Sequence, residues 1–210
     1  MLKRILLVVL VMGLMFSRTA VYANYYDQPL PASVSGIMPG KIQNGGVTMD
    51  KMFKSYALVM ATSIKTNENL SPKVDLTYTI TIAVADLNSD TGKAMIDAEK
   101  QNFQQYATKA RKVVSDYKPV RSGESMELLD LKGGSGWLKT SIWNNSDSST
   151  RTEFDCDYKC ITSKAIITVN VNRSASKQEV LTFIDQVVSV SENLYGEIFK
   201  GAKPTGARKK

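Results

Sequence analysis

Between residues 74 and 87 the chain reads "VDLTYTITIAVADL". Val74, Leu76, Tyr78, Ile80, Ile82 and Val84 alternate with Asp75, Thr77, Thr79, Thr81, Ala83 and Ala85. A period of two predicts a long strand with one buried face and one polar or lightly covered face. The period then lengthens. Over residues 93–116, Phe103, Tyr106, Ala107, Ala110, Val113 and Val114 fall on one helical stripe, with Ile96 one heptad before Phe103, and Pro119 stops the helix. Three strand-like runs follow: "SMELLDL", "GWLKTSIW", and "STRTEFDCDY", which continues through an expected turn at Asp157, Tyr158 and Lys159 into "CITSKAIITVNV". A closing helix starts at a capping-box pair, Ser176 and Glu179, and carries Val180, Leu181, Ile184, Val187, Val188, Leu194 and Ile198 on its apolar stripe.

Ahead of these elements, residues 24–47 are rich in Pro and Gly and read as an extended lead-in. Residues 48–65 carry two patterns: Met49, Met52, Phe53, Tyr56 and Met60 keep helical spacing, while "YALVMATSI" suits a strand. A helical turn passing into a strand is expected there. The order of elements predicts a single α+β domain over residues 48–199. Its expected form is an antiparallel sheet of five to six strands with two main helices packed on one face. Across residues 50–198 this order resembles that of the PsbP-like α/β-plait domains, many of them exported bacterial proteins without known catalysis. The resemblance lies in the order of elements and brings no functional residue with it.

Residues 1–23 have the three parts of a secretory signal. Lys3 and Arg4 precede twelve apolar residues, 5–16, and Val21-Tyr22-Ala23 leads to an expected cut before Asn24. Twelve residues are too few to span a bilayer, which takes about 20, and no later stretch is long and apolar enough. A periplasmic or secreted location is therefore expected. Export also changes the meaning of the net charge of +7. After removal of the signal, 24 basic and 20 acidic residues leave +4. The terminal "KGAKPTGARKK", residues 200–210, holds five of those bases, so residues 24–199 carry −1. The excess sits on a tail and not on a folded face, which argues against nucleic acid as a partner. The tail suits weak contact with an anionic surface.

Cys156 and Cys160 are the only cysteines. In an oxidising compartment, across the expected hairpin, they would face each other and form a disulfide worth about 2 kcal/mol. Redox chemistry suits them less, because the spacing is three and no helix start follows. A metal site would need more ligands.

The chain contains no histidine. That excludes Ser-His-Asp and Cys-His catalysis and every histidine-ligated metal centre. Asp86, Asn88, Asp90 and Asp97 approximate a calcium loop, but Thr91 stands where Gly is needed and Asp97 where Glu is needed. The plainer reading is a helix cap at Asp90 or Thr91. The "GGSG" of residues 133–136 opens a strand and not a helix, so it reads as a hairpin connection and not a phosphate cradle. On the strand "WLKTSIW", Trp137, Lys139, Ser141 and Trp143 share one face, and Leu138, Thr140 and Ile142 the other. Turned outward, Trp137, Lys139 and Trp143 would form a binding face for sugar or a protein partner; turned inward, they would be core. Glu153, Asp155 and Asp157 alternate with Phe154, Cys156 and Tyr158 and read as an acidic, solvated strand face. No catalytic residue, metal or cofactor is assigned. These features together predict a non-catalytic binding or accessory protein of the bacterial cell envelope, holding a protein partner or a small ligand. The alternative is a carboxylate-dependent hydrolase acting on cell-envelope polymer, which would need two carboxylates of raised pKa in one cleft. An apolar pocket between sheet and helices would favour the ligand-binding reading.

Overall fold

A computed structural model describes residues 26–50, 55–67, 73–145 and 148–200. The expected signal segment and residues 201–210 of the basic tail lie outside the described residues. The described chain is α+β, with one antiparallel sheet of seven strands: β1 (Lys41–Met49), β2 (Tyr56–Asn67), β3 (Val74–Ala85), β4 (Ser125–Leu131), β5 (Gly134–Asn144), β6 (Thr150–Ile161) and β7 (Ala165–Ser174). Three helices accompany it: the single turn α1 (Ala32–Ser35), the long α2 (Asp90–Asp116) and the closing α3 (Lys177–Tyr195), which runs into a π-helical turn at Gly196–Lys200. The sheet order is β1-β2-β3-β7-β6-β5-β4. Strands β1 to β3 form one meander and β4 to β7 another; α2 connects them, and β7 returns to lie beside β3.

The alternation in β3 does what its period predicts. Leu76, Tyr78, Ile80, Ile82 and Val84 are all buried in the main core. There they meet Val180, Phe183, Ile184 and Val187 of α3, with the Phe183 ring set edge-on to Tyr78 at 5.2 Å. Ser176 caps α3 by accepting from Glu179 N–H at 3.4 Å. The reciprocal arm of the capping box is not made, because Glu179 pairs with Lys65 at 2.7 Å.

The two main helices do not share a face. Met95 and Ile96 of α2 pack on Ala83, Ala85 and Ile166, which project from the opposite side of the sheet to Ile82 and Ile167. Further along α2, Glu99 pairs with Lys159 at 2.8 Å, and Tyr106 Oη donates to Asp157 Oδ1 at 3.0 Å. Lys159 and Asp157 alternate with Tyr158 and Cys160, whose side chains enter the α3 core. The molecule therefore has three layers, helix on sheet on helix. The small side chains of Ala83 and Ala85 admit α2 at close range, and polar partners on both layers let it cover a face that is not apolar.

Residues 24–47 are more than a lead-in. Val34 of α1 is fully buried in the main core, β1 pairs with β2 along its length, and Gln28 bridges to Val47 on the outer side of β1. Within residues 48–65, Thr48 and Met49 end β1 and Tyr56 starts β2. The expected helical turn falls on residues 51–54, outside the described residues. The observed helix α2 begins at Asp90, three residues before the expected start, capped by Ser89 accepting from Gly92 N–H.

The expected hairpin at residues 157–159 is not formed, and the disulfide goes with it. β6 runs unbroken from Thr150 to Ile161, so Cys156 and Cys160 are four residues apart on the same face of one strand. At roughly 3.3 Å per residue their Cα atoms stand about 13 Å apart, well beyond the ~7 Å limit for a disulfide. Both are free and buried. The chain turns later, where Thr162 N–H donates to Ala165 O at 2.9 Å and Thr162 Oγ1 accepts from Lys164 and Ala165 N–H. Burial pushes both thiols above their ordinary range, so neither is a ready nucleophile. Iodoacetamide without reductant is expected to label neither cysteine in the folded protein and both in denaturant. A mass that changes only after reduction would restore the disulfide.

Candidate functional site

β5 carries the residues expected to form a binding face. Leu138 is fully buried under the α3 layer, as its apolar character requires, while Ile142 at the far end of the strand is exposed. Trp137, Lys139, Ser141 and Trp143 consequently project toward α2. The register sets Trp137 opposite Asp157, Lys139 opposite Asp155, Ser141 opposite Glu153, and Trp143 opposite Arg151. This face is neither a bare surface nor an apolar core. Both tryptophans are half-buried, and the segment after α2 reaches Trp143 and Lys139 as a strap.

The strap, residues 117–124, is tied down by Glu124. Its carboxylate accepts from Val120 N–H at 3.0 Å and from Tyr117 Oη at 3.1 Å, and Lys139 Nζ lies 3.4 Å away. The Val120 N–H is the main reason the Glu124 carboxyl is held below its ordinary value; burial opposes this, and Tyr117 and Lys139 add to it. Arg121 sets its guanidinium 4.0 Å from the centre of the Trp143 ring, and Arg151 lies 5.7 Å from the same ring. The Trp143 ring that could have stacked on a sugar is thus occupied by cations of the chain itself. The pH consequence follows from the sign of the shift. A depressed carboxyl stabilises above its unfolded value and loses that contribution as pH falls through the folded one. Acidification below about pH 4 is therefore expected to loosen the strap and red-shift the indole emission, with Glu124→Gln showing the shifted spectrum at neutral pH. Identical spectra for the two proteins at neutral pH would mean Glu124 does not hold the strap.

The acidic row is only partly solvated, with Glu153 buried and Asp155 and Asp157 half-buried. Glu153 is 5% exposed and sits 2.9 Å from Arg151, an ion pair without hydrogen-bond alignment. Asp155 accepts from Arg173 N–H at 2.9 Å. Asp157 takes the Tyr106 hydroxyl, and burial pushes its carboxyl up, with Tyr106 and Lys109 pulling the other way. Each acid is held by a separate partner within the fold. Among the described residues, Trp143 Nε1, Arg151 Nε and Glu153 Oε1 are three of five buried polar side-chain atoms that lack a hydrogen bond, and all three lie beside the strap.

The residues of the calcium-like loop disperse. Asp86 Oδ1 accepts from Asn88 N–H and from Tyr195 Oη, while Asp90 and Asp97 lie exposed beside Lys93 and Lys100 on α2. Among the described residues no group of three or more acidic or cysteine side chains converges as a metal site would require. Of residues 133–136, expected as a hairpin connection, only Gly133 lies in the turn, and Gly134 to Gly136 are the first residues of β5. Lys132 and Gly133 have φ of 45° and 73° between the paired Leu131 and Gly134, a two-residue turn of the kind that matches strand twist.

A groove lies on the other side of the sheet, where no site was expected. With a volume of about 310 Å³, it runs between the β4–β5 turn and α3, lined by Leu131, Lys132, Gln178, Leu181, Thr182, Ile184 and Asp185. Its floor is apolar. Lys132 and Asp185 on its lining form an ion pair. Leu181 belongs to the apolar stripe of α3, yet it is only half-buried, because α3 lies chiefly over β7, β3 and β6 and touches the β4 edge little. That edge is a property of strand order and is not visible in local pattern. No protein-family model, curated protein or solved structure matches this chain.

Proposed function

We propose that this chain is an exported, non-catalytic binding or accessory protein of the bacterial cell envelope, and that it binds through the groove between β4 and α3. The observation that carries this reading is the apolar floor of Leu131, Leu181 and Ile184 within a polar rim. Its volume of about 310 Å³ is at the lower end of the roughly 300–1,000 Å³ typical of ligand sites. That suits a small amphiphilic ligand or a few side chains of a protein partner. The apolar signal segment supports export, and the absence of histidine supports a role without acid–base chemistry near neutral pH.

The test is a titration of the folded mature chain with anilinonaphthalene sulfonate, an apolar dye with an anionic group. Saturable fluorescence enhancement is expected, with affinity reduced about tenfold in the uncharged variant Leu181→Ser, as a lost apolar side-chain contact implies. No saturable binding, or equal binding by the variant, would remove the groove as the site.

A further inference from the structure

The small net charge of the folded part conceals a segregation. Residues 24–199 carry −1, yet residues 109–121, "KARKVVSDYKPVR", hold five bases and one acid, a balance of +4. The rest of residues 24–199 therefore carries −5. The basic stretch is the end of α2 and the first part of the strap, and Lys109, Arg111, Lys112, Lys118 and Arg121 are all exposed. The acids nearby do little to balance them at the surface. Asp116 pairs with Lys112. Glu124, just beyond, is turned onto Val120 N–H and Tyr117 Oη and keeps 6% of its side-chain surface.

The same end of the molecule gathers the exposed apolar side chains. Among the described residues, three large hydrophobics are exposed: Val113, Val120 and Ile142. Val113 is on the end of α2, Val120 is on the strap between Lys118 and Arg121, and Ile142 lies against Gly123 of the strap. Scattered singly, such residues need no explanation; here they share one end with the bases. Val120 is the extreme, at 86% exposure. That exposure belongs to an ordered loop, because Pro119 fixes its own φ and the Val120 N–H is held by the Glu124 carboxylate at 3.0 Å.

We propose that the end of α2 and the strap dock on an anionic phospholipid surface. Val120 enters the boundary between headgroups and acyl chains, and Arg111 and Lys118 lie against the lipid phosphates. Peripheral binding of this kind adds electrostatic attraction to the burial of apolar side chains. The stems of Arg111 and Lys118 are long enough to keep their cations among the headgroups. The apolar part selects a bilayer over a hydrated polyanion, which would satisfy the bases and leave Val120 in water. This surface is separate from the groove, which lies at the other end of β4.

The test is co-sedimentation of the mature chain, at low salt, with vesicles of phosphatidylcholine alone or in equal mixture with phosphatidylglycerol. Binding is expected to the mixed vesicles and not to the neutral ones. Val120→Ser should weaken it roughly five- to tenfold, and Arg111→Gln and Lys118→Gln about fivefold each. These positions are exposed, so melting temperatures should stay at the wild-type value. Val120→Trp should bind more tightly and add a blue-shifted indole signal with the mixed vesicles. The tail is controlled in the full chain by replacing Lys203, Arg208, Lys209 and Lys210 with glutamine. Binding that survives this change and falls in Val120→Ser would support the proposal. Binding lost with the tail charges and unchanged in the α2 and strap variants would belong to the tail and overturn it. Binding that falls in Arg111→Gln and Lys118→Gln but not in Val120→Ser, with equal capture by soluble heparin, would identify a polyanion as partner and overturn it. No binding to the mixed vesicles would overturn it outright.

Discussion

Glu153→Ala is expected to lower the urea midpoint of the protein sharply, by an amount equivalent to about 3 kcal/mol. Glu153 keeps 6% of its side-chain surface and Arg151 keeps 14%, so neither charge has water enough to stand alone. Removing the carboxylate leaves the Arg151 guanidinium beside Arg121 and the Trp143 ring, without the ion pair it makes at 2.9 Å. The figure is at the low end of the usual range because Arg151 retains some solvent. The matching double replacement, Arg151→Met with Glu153→Leu, separates the cost of breaking the pair from the worth of having it. Exchanging a buried pair for apolar side chains of similar volume is often neutral, and a change within about 1 kcal/mol of the wild type is expected. If Glu153→Ala and the double variant unfold at the same urea concentration, the loss comes from packing and not from an orphaned charge.

Gly136→Ala should be comparably damaging, at about 3 kcal/mol or more. A β-carbon at this position would lie 2.2 Å from Asp157 O and 2.7 Å from Tyr158 Cα, both backbone atoms of the neighbouring strand. Backbone cannot rotate away, so β5 and β6 would have to separate where Tyr158 crosses them to donate its hydroxyl to Leu131 O. Gly133→Ala is the control. A β-carbon there meets nothing within 4 Å, and the cost is confined to the left-handed φ of 73°, about 1 kcal/mol. Thermal denaturation of both variants would separate close approach from backbone strain; equal melting temperatures would contradict the strand contact.

The same contrast explains what could be read before the structure. Period-two alternation in β3 and the helical stripe of α3 are direct prints of burial, and Leu76 to Val84 and Val180 to Leu194 occupy the places those patterns imply; of the stripe expected on α2, Ile96, Ala107 and Ala110 are buried while Val113 is exposed. Layering was misread, because a strand face of Lys, Asp, Ser and Trp has the composition of a solvent face. In β5 and β6 such a face is roofed by α2 through Tyr106, Glu99 and the strap, and no residue-by-residue pattern distinguishes water from a polar neighbour. A turn at Asp157 to Lys159 is what the strand-like runs on either side suggest. The chain turns instead at Thr162, whose hydroxyl accepts the two N–H groups that close the bend. The groove was invisible for a different reason: it depends on β4 being outermost, and strand order is set by long-range pairing.

Strand order also bears on how the chain reaches this state. Every pair of neighbours in the sheet is adjacent in sequence except one, β3 with β7. The two meanders can each zip from a nearby turn, at small loop-closure cost, whereas the seam that joins Ile80 to Val169 and Ile82 to Ile167 must first enclose α2, β4, β5 and β6. Folding speed falls as such distant contacts come to dominate. The seam is therefore where the kinetic barrier is set, and truncations at Ile82 or Ile167 should slow refolding, while equally destabilising changes within the β1–β2 hairpin act mainly by hastening unfolding.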